Sequence, residues 1–218
     1  MRTTGQIGVF AVVLLWAGPM PAQTGTSDKA DASAGPDAKE WEFSLILDGY
    51  AVPHRQFYVS PTFTADRGWL HLETRYNYEN QKTGSVWFGY NFRAGRTLEL
   101  RVTPMVAGVF GRTAGIAPGC LLSLTYKRLA FSSASEYVFD MKNPSSNFFY
   151  SWPQLTYSPR DWIRFGLVAQ RTKAYQTSLD VQRGVFAGFS VKKLSFTTYV
   201  FNAGWTDPTV VIEAGYSF

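Results

Sequence analysis

The sequence predicts an all-β fold: a single antiparallel, up-and-down transmembrane β-barrel of about twelve strands. Apolar and polar residues alternate with a period of two along most of the chain after residue 40, as in strands that have one face in apolar surroundings. Charged residues make up 17% of the chain, and so do aromatic residues, whereas ordinary globular domains contain about 25% charged residues. No long segment shows the 3.6-residue apolar stripe that indicates a helix.

Two segments precede the predicted barrel. Residues 1–23 begin with a basic residue, Arg2, and continue through the apolar run IGVFAVVLLW to a turn with small residues, so we predict a secretory signal peptide. Residues 24–40 contain no Val, Ile, Leu or aromatic residue and are predicted to be a disordered polar N-terminal segment. The predicted barrel covers residues 41–218. Its one cysteine, Cys120, rules out an intramolecular disulfide.

Twelve alternating segments follow one another along this region. In the last segment, every second residue is apolar or aromatic, and the residues between them are small or polar apart from Val211. Boundaries of this kind carry an error of several residues. The predicted strands are residues 41–50, 56–65, 69–79, 84–93, 97–111, 119–128, 129–141, 147–158, 161–173, 180–191, 194–204 and 208–218.

The predicted connections alternate in length. Short polar turns lie around residues 65–68, 93–96, 127–130, 158–161 and 191–194, and longer loops lie between them. Outer-membrane barrels have short turns on the periplasmic side and longer loops outside. An even number of strands then places both chain termini at the periplasmic end.

Three features favour a barrel in lipid over a soluble β-sandwich. Charged residues such as Glu73, Arg75 and Arg101 lie near strand centres on the polar face, where a hydrated lumen accommodates them. The strand lengths match the roughly 9–11 residues of a tilted membrane-spanning strand, and in lipid the sheet must close because unpaired edges cannot reach water. Aromatic residues lie near strand ends, as girdles at the two membrane interfaces would. They are Trp41, Trp69, Tyr78, Phe92, Tyr126, Tyr137, Tyr157, Tyr216 and Phe218.

Three prolines conflict with this strand assignment. Pro61, Pro104 and Pro153 fall inside predicted strands, and each removes a donor from the hydrogen-bond ladder. Either the prolines lie at bulges, or they break strands. In the second case the barrel has ten strands.

The C-terminal segment VVIEAGYSF resembles the terminal strand of bacterial outer-membrane β-barrel proteins. Those proteins typically end in Phe, with an aromatic residue two positions earlier and alternating apolar positions before it, as Phe218, Tyr216 and Ile212 do here. The resemblance implies integration in the outer membrane of a Gram-negative bacterium, with membrane lipid around the barrel. It also implies that Tyr216 and Phe218 are an assembly signal for the barrel-assembly machinery, and that the last strand pairs with the first.

The polar faces of the predicted strands define a candidate lumen. The pairs Glu73/Arg75 and Glu99/Arg101 are each spaced i, i+2, so both members share a face and can form ion pairs there. The predicted lumen-lining residues are His71, Glu73, Arg75, Arg93, Glu99, Arg101, Arg164, Gln170 and Glu213.

The predicted inward faces also differ in side-chain size. Small residues such as Gly184, Gly188 and Gly215 are expected to leave room in the lumen. Large inward residues are expected to narrow it; they are Trp87, Tyr150, Trp152 and Phe186.

No catalytic, cofactor-binding or metal site is predicted. The chain has no HExxH, no CxxC pair and no glycine-rich phosphate loop, and no Lys/Arg block that indicates nucleic-acid binding. Some outer-membrane barrels are lipid hydrolases with a lipid-facing Ser and His. Here the histidines are His54, in a predicted loop, and His71, on a polar face. The serines that could face lipid are Ser133, Ser135 and Ser151.

Three functions remain open from the sequence. The first is a narrow channel for small hydrophilic solutes, which the mixture of small and charged inward residues favours, since about twelve strands lie between filled eight-stranded barrels and open porins. The second is a closed structural or adhesion barrel that acts through its extracellular loops. The third is a lipid-modifying enzyme.

Overall fold

The computed structural model describes residues 40–52, 56–174, 180–204 and 208–218. The predicted signal peptide and, apart from residue 40, the predicted polar segment lie outside these residues. A short 3-10 helix covers Pro144–Ser146, and no helix in the described ranges is long and apolar enough to cross a membrane. The strands are β1 Glu42–Ala51, β2 Tyr58–Arg67, β3 Leu70–Tyr76, β4 Thr83–Tyr90, β5 Phe92–Ala94, β6 Leu98–Gly111, β7 Gly115–Tyr126, β8 Leu129–Asp140, β9 Phe148–Arg160, β10 Ile163–Ala174, β11 Asp180–Val191, β12 Leu194–Phe201 and β13 Thr209–Ser217.

The strands form one closed antiparallel barrel. Apart from β4 and β5, strands that follow one another in sequence pair with each other. β1 also pairs with β13, from Ser44 opposite Ser217 to Ala51 opposite Val210. The segments β4 and β5 both pair with β6 and flank Asn91, so they form one interrupted strand. The prediction of an up-and-down barrel of about twelve strands is confirmed.

The two ends of the barrel differ in their connections. At one end, two or three residues join β2 to β3, β5 to β6, β7 to β8, β9 to β10 and β11 to β12. Four of these turns use a positive φ, at Gly68, Gly95, Lys127 and Lys192, a conformation common in tight turns. The connections at the other end are longer, except that only three residues join β6 to β7. Since β1 starts and β13 finishes at the short-turn end, Phe218 lies there too, the end that is periplasmic in outer-membrane barrels.

Each of the three prolines pairs normally on one side and lies at a gap on the other. Pro61 is opposite Leu47 of β1, and the β2–β3 ladder begins only at the next residue. Pro104 is opposite Cys120 and adjoins the break between β4 and β5. Pro153 is opposite Ser133, and the β9–β10 ladder is interrupted beside it. The prolines therefore interrupt single ladders without ending strands, and the alternative of ten strands is wrong.

The outward face of the barrel is apolar. On β4, for example, Val86 and Phe88 are 54% and 52% exposed, whereas the inward Trp87 between them is buried. All the predicted girdle aromatics except Tyr78 are exposed or half-buried. A continuous apolar belt around a closed sheet is the surface of a barrel in lipid, because so large an exposed apolar surface is rare on proteins in water.

Candidate functional site

A cavity lined by both polar and apolar residues, which we call the vestibule, lies in the lumen at the short-turn end and has a volume of about 80 Å³. On one wall, His71 Nδ1 lies 2.9 Å from Asp66 Oδ1, and His71 Nε2 lies 3.3 Å from Glu73 Oε2. The side chain of Asn91, at the break between β4 and β5, donates to Asp66 Oδ1 at 2.6 Å. It also accepts a hydrogen bond from Thr103 Oγ1 at 2.6 Å. The interrupted strand is thus held to the vestibule wall by side-chain hydrogen bonds.

Two arginines also line the vestibule. Arg93 of β5 is directly opposite Arg101 of β6. Arg101 also donates from Nε to Glu99 Oε1 at 2.6 Å, and the side chains of this pair are 29% and 32% exposed. The i, i+2 pairing predicted from the sequence is therefore present here, in contact with solvent.

A second group, the Arg75 cluster, comprises Arg75, Glu73, Glu136, Glu79 and the rings of Tyr78 and Trp87. The Arg75 guanidinium donates to Glu73 and, at 2.8 Å, to Glu136 Oε2, and it lies 3.9 Å from Glu79 Oε1. Its central carbon is 3.8 Å from the Tyr78 ring centroid and 4.2 Å from that of Trp87. The side chains of Arg75, Glu73 and Glu79 are inaccessible to solvent. One cation thus faces three carboxylates in the interior of the barrel.

The loop between β3 and β4 enters the lumen and completes this cluster. β3 ends at Tyr76, and Asn77 has a φ of 57°, so the strand alternation stops there. Tyr78 and Glu79 consequently turn inward and are 1% and 0% exposed. The prediction that Tyr78 belongs to a lipid-facing girdle is wrong, because it extrapolates the period of two beyond the end of the strand.

Hydrogen bonds fix this loop in its inward position. Glu79 Oε1 accepts from Ser85 Oγ at 2.5 Å and from Trp87 Nε1 at 3.3 Å. Asn77 Nδ2 donates to the carbonyl of Val59 at 2.9 Å, at the base of the loop. Burial raises the pKa of Glu79, although Arg75 and the two donors act in the opposite direction.

A third group lies at the seam where β1 meets β13. Asp48 of β1 and Glu213 of β13 are directly opposite each other and are 0% and 2% exposed; we call them the seam carboxylates. Glu213 accepts hydrogen bonds from Thr197 Oγ1 at 3.0 Å and Tyr199 Oη at 3.2 Å, and it lies 3.8 Å from Arg164 Nη2. Neither oxygen of Asp48 has a hydrogen-bond partner among the described residues.

Aromatic side chains fill much of the remaining lumen. Trp152 contacts Tyr199 and Phe201 edge-on, with ring centroids 5.7 and 5.0 Å apart. Phe186 packs on Tyr199 at 5.3 Å. All four side chains are at most 4% exposed.

Large side chains fill the space beside two of the inward glycines, contrary to the expectation from the sequence that small inward residues leave room. A Cβ atom at Gly184 would lie 3.0 Å from the Phe201 ring, and at Gly166 a Cβ would lie 3.0 Å from the Phe186 ring. The space beside these glycines is occupied by rings from neighbouring strands. Small residues here permit large neighbours to lie flat against the barrel wall.

The comparisons with known proteins bear on the fold. No family model matches the sequence, and no curated protein matches it. Among solved structures, a "KdgM porin" superposes with a TM-score of 0.58 at 11% sequence identity, covering 80% of this chain and 99% of that one. A structure described as "KdgM porin in complex with disordered oligogalacturonate" gives a TM-score of 0.59 with the same identity and coverage. The chain has the fold of an outer-membrane β-barrel protein. With its apolar outer belt, the barrel is an integral protein of the outer membrane of a Gram-negative bacterium.

The structure brings six of the nine predicted lumen residues of this outer-membrane β-barrel into its buried interior. His71, Glu73 and Arg75 lie on β3, and Arg164, Gln170 and Glu213 lie on β10 and β13. The other three, Arg93, Glu99 and Arg101, lie together near the short-turn end. The nine residues therefore belong to several separate groups in the barrel.

The sequence prediction omitted four residues that complete these groups. Asp48 and Glu136 lie on the inward faces of β1 and β8, so the period of two was a sufficient signal for them. Tyr78 and Glu79 come from the inserted loop. No strand pattern predicts their contacts with Arg75, because these depend on the turn at Asn77.

The two buried groups of the barrel contain more carboxyl groups than cationic groups. The Arg75 cluster and the seam group together contain two guanidinium groups, of Arg75 and Arg164, and five carboxylates. With all of them ionised, the formal excess is three negative charges. The carboxylates are those of Asp48, Glu73, Glu79, Glu136 and Glu213.

Several buried polar atoms have no hydrogen-bond partner among the described residues. They include Tyr50 Oη, Thr62 Oγ1, Trp152 Nε1 and both amide atoms of Gln154, in addition to the two Asp48 oxygens. Buried polar groups in native proteins are nearly always hydrogen-bonded, to protein or to ordered water. Water or a polar solute in the lumen would satisfy these atoms.

The three serines considered for lipid hydrolysis are hydrogen-bonded to one another. The closest pair, Ser135 and Ser151, has its Oγ atoms 2.9 Å apart, and Ser133 is within 3.5 Å of both. His71 is inward, bound to Asp66 and Glu73, and His54 lies outside the described residues. Within the described part of the chain, no histidine is positioned to activate these serines as a base would.

Proposed function

We propose that this outer-membrane barrel is a narrow channel for small hydrophilic solutes and that it prefers positively charged ones. The observation that carries the proposal is the acidic excess of the buried interior, where five carboxylates face two guanidinium groups. Charged side chains that line a pore select permeating ions of the opposite sign. They act strongly in a narrow, low-dielectric passage because the protein around them screens charge poorly.

Unpartnered polar atoms support a hydrated path through the lumen. They occur on several strands: Thr62 on β2, Gln154 on β9 and Asp48 on β1. In a barrel surrounded by lipid, the lumen is the place where such atoms can meet water. A water path along these strands would let small polar solutes pass between the aromatic side chains.

The same charge distribution argues against an acidic oligosaccharide as the solute. Oligogalacturonate, named with one of the KdgM structures, is a polyanion. Arg93 and Arg101 could meet an anion in the vestibule, but Arg101 is already paired with Glu99. Beyond the vestibule an anion would meet the carboxylates of the Arg75 cluster and the seam, which repel it.

The packed aromatic side chains favour a second candidate, a closed barrel that acts through its extracellular loops. Trp87, Trp152 and Tyr199 are at most 1% exposed, and the inserted loop adds Tyr78 to the interior. If these side chains keep the bore shut, the protein passes no solute. The loops at the end opposite the short turns would then contact a partner.

Single-channel recording in planar bilayers separates the two candidates. We expect discrete current steps from the refolded protein and, in a KCl gradient, a reversal potential of the sign that indicates cation preference. The double variant Glu136→Gln and Glu213→Gln should lose much of that preference. Glu99→Gln, which removes the partly exposed carboxylate paired with Arg101, is the matched control and should keep most of it. A correctly folded but silent barrel would support the closed candidate, and anion preference in the wild type would contradict our proposal.

A further inference from the structure

The seam carboxylates are an unusual pair even within a charged lumen. Asp48 and Glu213 are directly opposite on adjacent antiparallel strands, where side chains on the same face are close neighbours and like charges destabilise. The only described cation near them, Arg164, lies 3.8 Å from Glu213 and also donates to Thr197 at 2.7 Å. With these three groups ionised, the seam carries one uncompensated negative charge.

Two residues with unpartnered hydroxyl oxygens neighbour Asp48 in the ladder of the barrel wall. Thr62 is on β2, two residues from Ser60, the residue directly opposite Asp48. Tyr50 is two residues along β1 on the same inward face. The side chains of Thr62 and Tyr50 are completely buried, and neither hydroxyl has a hydrogen-bond partner among the described residues. Each of these unpartnered hydroxyls would be costly in an empty interior, and both belong to residues that neighbour Asp48 in the β1–β2 ladder.

The chemistry of this oxygen set identifies the ligand class. Carboxylate and hydroxyl oxygens suit hard cations and ammonium groups, and thiolate or imidazole ligands of softer metals do not contribute here. Among the described residues, no group of three or more His, Cys, Asp and Glu side chains could hold a metal ion, so a multivalent ion lacks the acidic ligands it requires. A single positive charge balances the seam.

We propose that Asp48 and Glu213, with the hydroxyl oxygens of Thr62 and Tyr50, bind one monovalent cationic group, either an alkali ion or the ammonium group of a solute. The role of this site in transport rests on the channel function proposed above: permeating cations would bind there on their way through the lumen. The binding itself is independent of conduction. Nearby aromatic rings, including Tyr199, whose hydroxyl donates to Glu213, suit an ammonium group because ring faces attract cations.

Urea unfolding of the refolded full-length barrel in detergent tests the site without requiring conduction. The unfolding midpoint is measured in KCl, in methylammonium chloride and in N-methylglucamine chloride at equal ionic strength. A ligand that binds only the folded state raises the midpoint, so we expect a higher midpoint in K⁺ or methylammonium than in the bulky N-methylglucamine. The K⁺ and methylammonium arms distinguish an alkali ion from an ammonium group.

Two variants and one control test whether the seam carboxylates cause the cation-dependent rise of the unfolding midpoint. Asp48→Asn and Glu213→Gln should each reduce the apparent cation affinity at least tenfold, and in N-methylglucamine each should be as stable as the wild type or more stable, because the like-charge contact is gone. Glu99→Gln should retain the wild-type response. Equal wild-type midpoints in all three salts, or an undiminished response in Asp48→Asn, would overturn the proposed cation site. The two carboxyl groups would then be close neighbours because they share a proton.

Single-channel recording from the same protein preparations distinguishes the channel proposal from the cation-site proposal. Cation-selective currents without a cation-dependent midpoint would overturn the site and leave the channel standing. A cation-dependent midpoint in a silent barrel would support the site and contradict the channel.

Discussion

The backbone N–H of Phe218 donates to the carbonyl of Phe43 at 2.9 Å, so the last residue is hydrogen-bonded to the strand that begins the barrel. The rings of these two residues meet edge-on, with centroids 6.5 Å apart, and Phe218 also contacts Tyr216 at 4.9 Å. The aromatic residues matched to the outer-membrane terminal strand thus lie at the site of barrel closure. That position gives a physical reason for an assembly signal there, since the β1–β13 seam closes the sheet.

Replacing Phe218 by Ala should slow assembly more than it lowers stability. Each aromatic pair that the Phe218 ring forms contributes about 1 kcal/mol, which is modest for a barrel. The larger effect on assembly follows from the prediction that Phe218 is part of the assembly signal. The measurement is the folded fraction over time in vesicles with and without the assembly machinery. Phe131→Ala, which removes another outward aromatic away from the seam, is the control. An equal effect of the two substitutions would contradict a signalling role for Phe218.

Arg75 should be among the most sensitive positions for stability. Replacing it by Gln leaves the carboxylates of Glu73, Glu79 and Glu136 buried without their common cation, and breaking a buried ion pair costs about 3–5 kcal/mol. The measurement is the free energy of unfolding from urea titrations. Arg101→Gln is the matched control, because its pair with Glu99 is partly exposed and pairs of that kind contribute at most about 1 kcal/mol. Similar losses in both variants would show that Arg75 does not organise the cluster.

The inserted β3–β4 loop should make conduction depend on pH. Burial raises the pKa of Glu79 above its ordinary value, so the inward loop binds a proton more tightly than a solvated loop does. The inward position is therefore favoured as the pH falls, and this advantage is lost as the pH rises from the ordinary pKa to the raised one. We expect a lower open probability near pH 4 than near pH 7 in single-channel recordings.

Glu79→Gln is the decisive variant for this dependence. The groups that face Glu79 include Arg75, Ser85 and Trp87, and Glu73 and Glu136 titrate in the same cluster. Gln keeps the size of the side chain and removes its titration, so the open probability should become much less sensitive to pH. An unchanged pH profile in Glu79→Gln would assign the effect to another carboxylate.

The sequence was sufficient to predict the barrel because lipid imposes a simple rule on each strand. Outward residues must be apolar and inward residues can be polar. The alternation from Val210 to Phe218 therefore predicts both that the segment is a strand and which of its residues face outward. The same rule places Arg75 and Glu213 inward. The prolines did not reduce the number of strands, because a strand in a closed sheet can lack a hydrogen bond on one side and retain the ladder on the other.

The contents of the lumen could not be predicted in the same way. Whether Gly184 opens the bore depends on the ring of Phe201 on the next strand, and this requires the register between strands, which the period of two does not give. Likewise, the contacts of Arg75 depend on a loop that turns inward at Asn77. Contacts between distant segments decide whether the pore is open, whereas local patterns decide that a barrel exists.

The aromatic packing gives a final prediction, on the size of the pore. Trp152 is 1% exposed and packs on Tyr199 and Phe201, so Trp152→Ala removes a large side chain from the lumen and should lower stability by about 3–5 kcal/mol. Since unpartnered polar atoms such as those of Gln154 lie in the same interior, water should enter the vacated space, and single-channel conductance should rise severalfold. Phe189→Ala, on the outward face of β11, should leave conductance unchanged. If Trp152→Ala folds and passes no more current than the wild type, the lumen is closed elsewhere. That result would support the closed-barrel alternative.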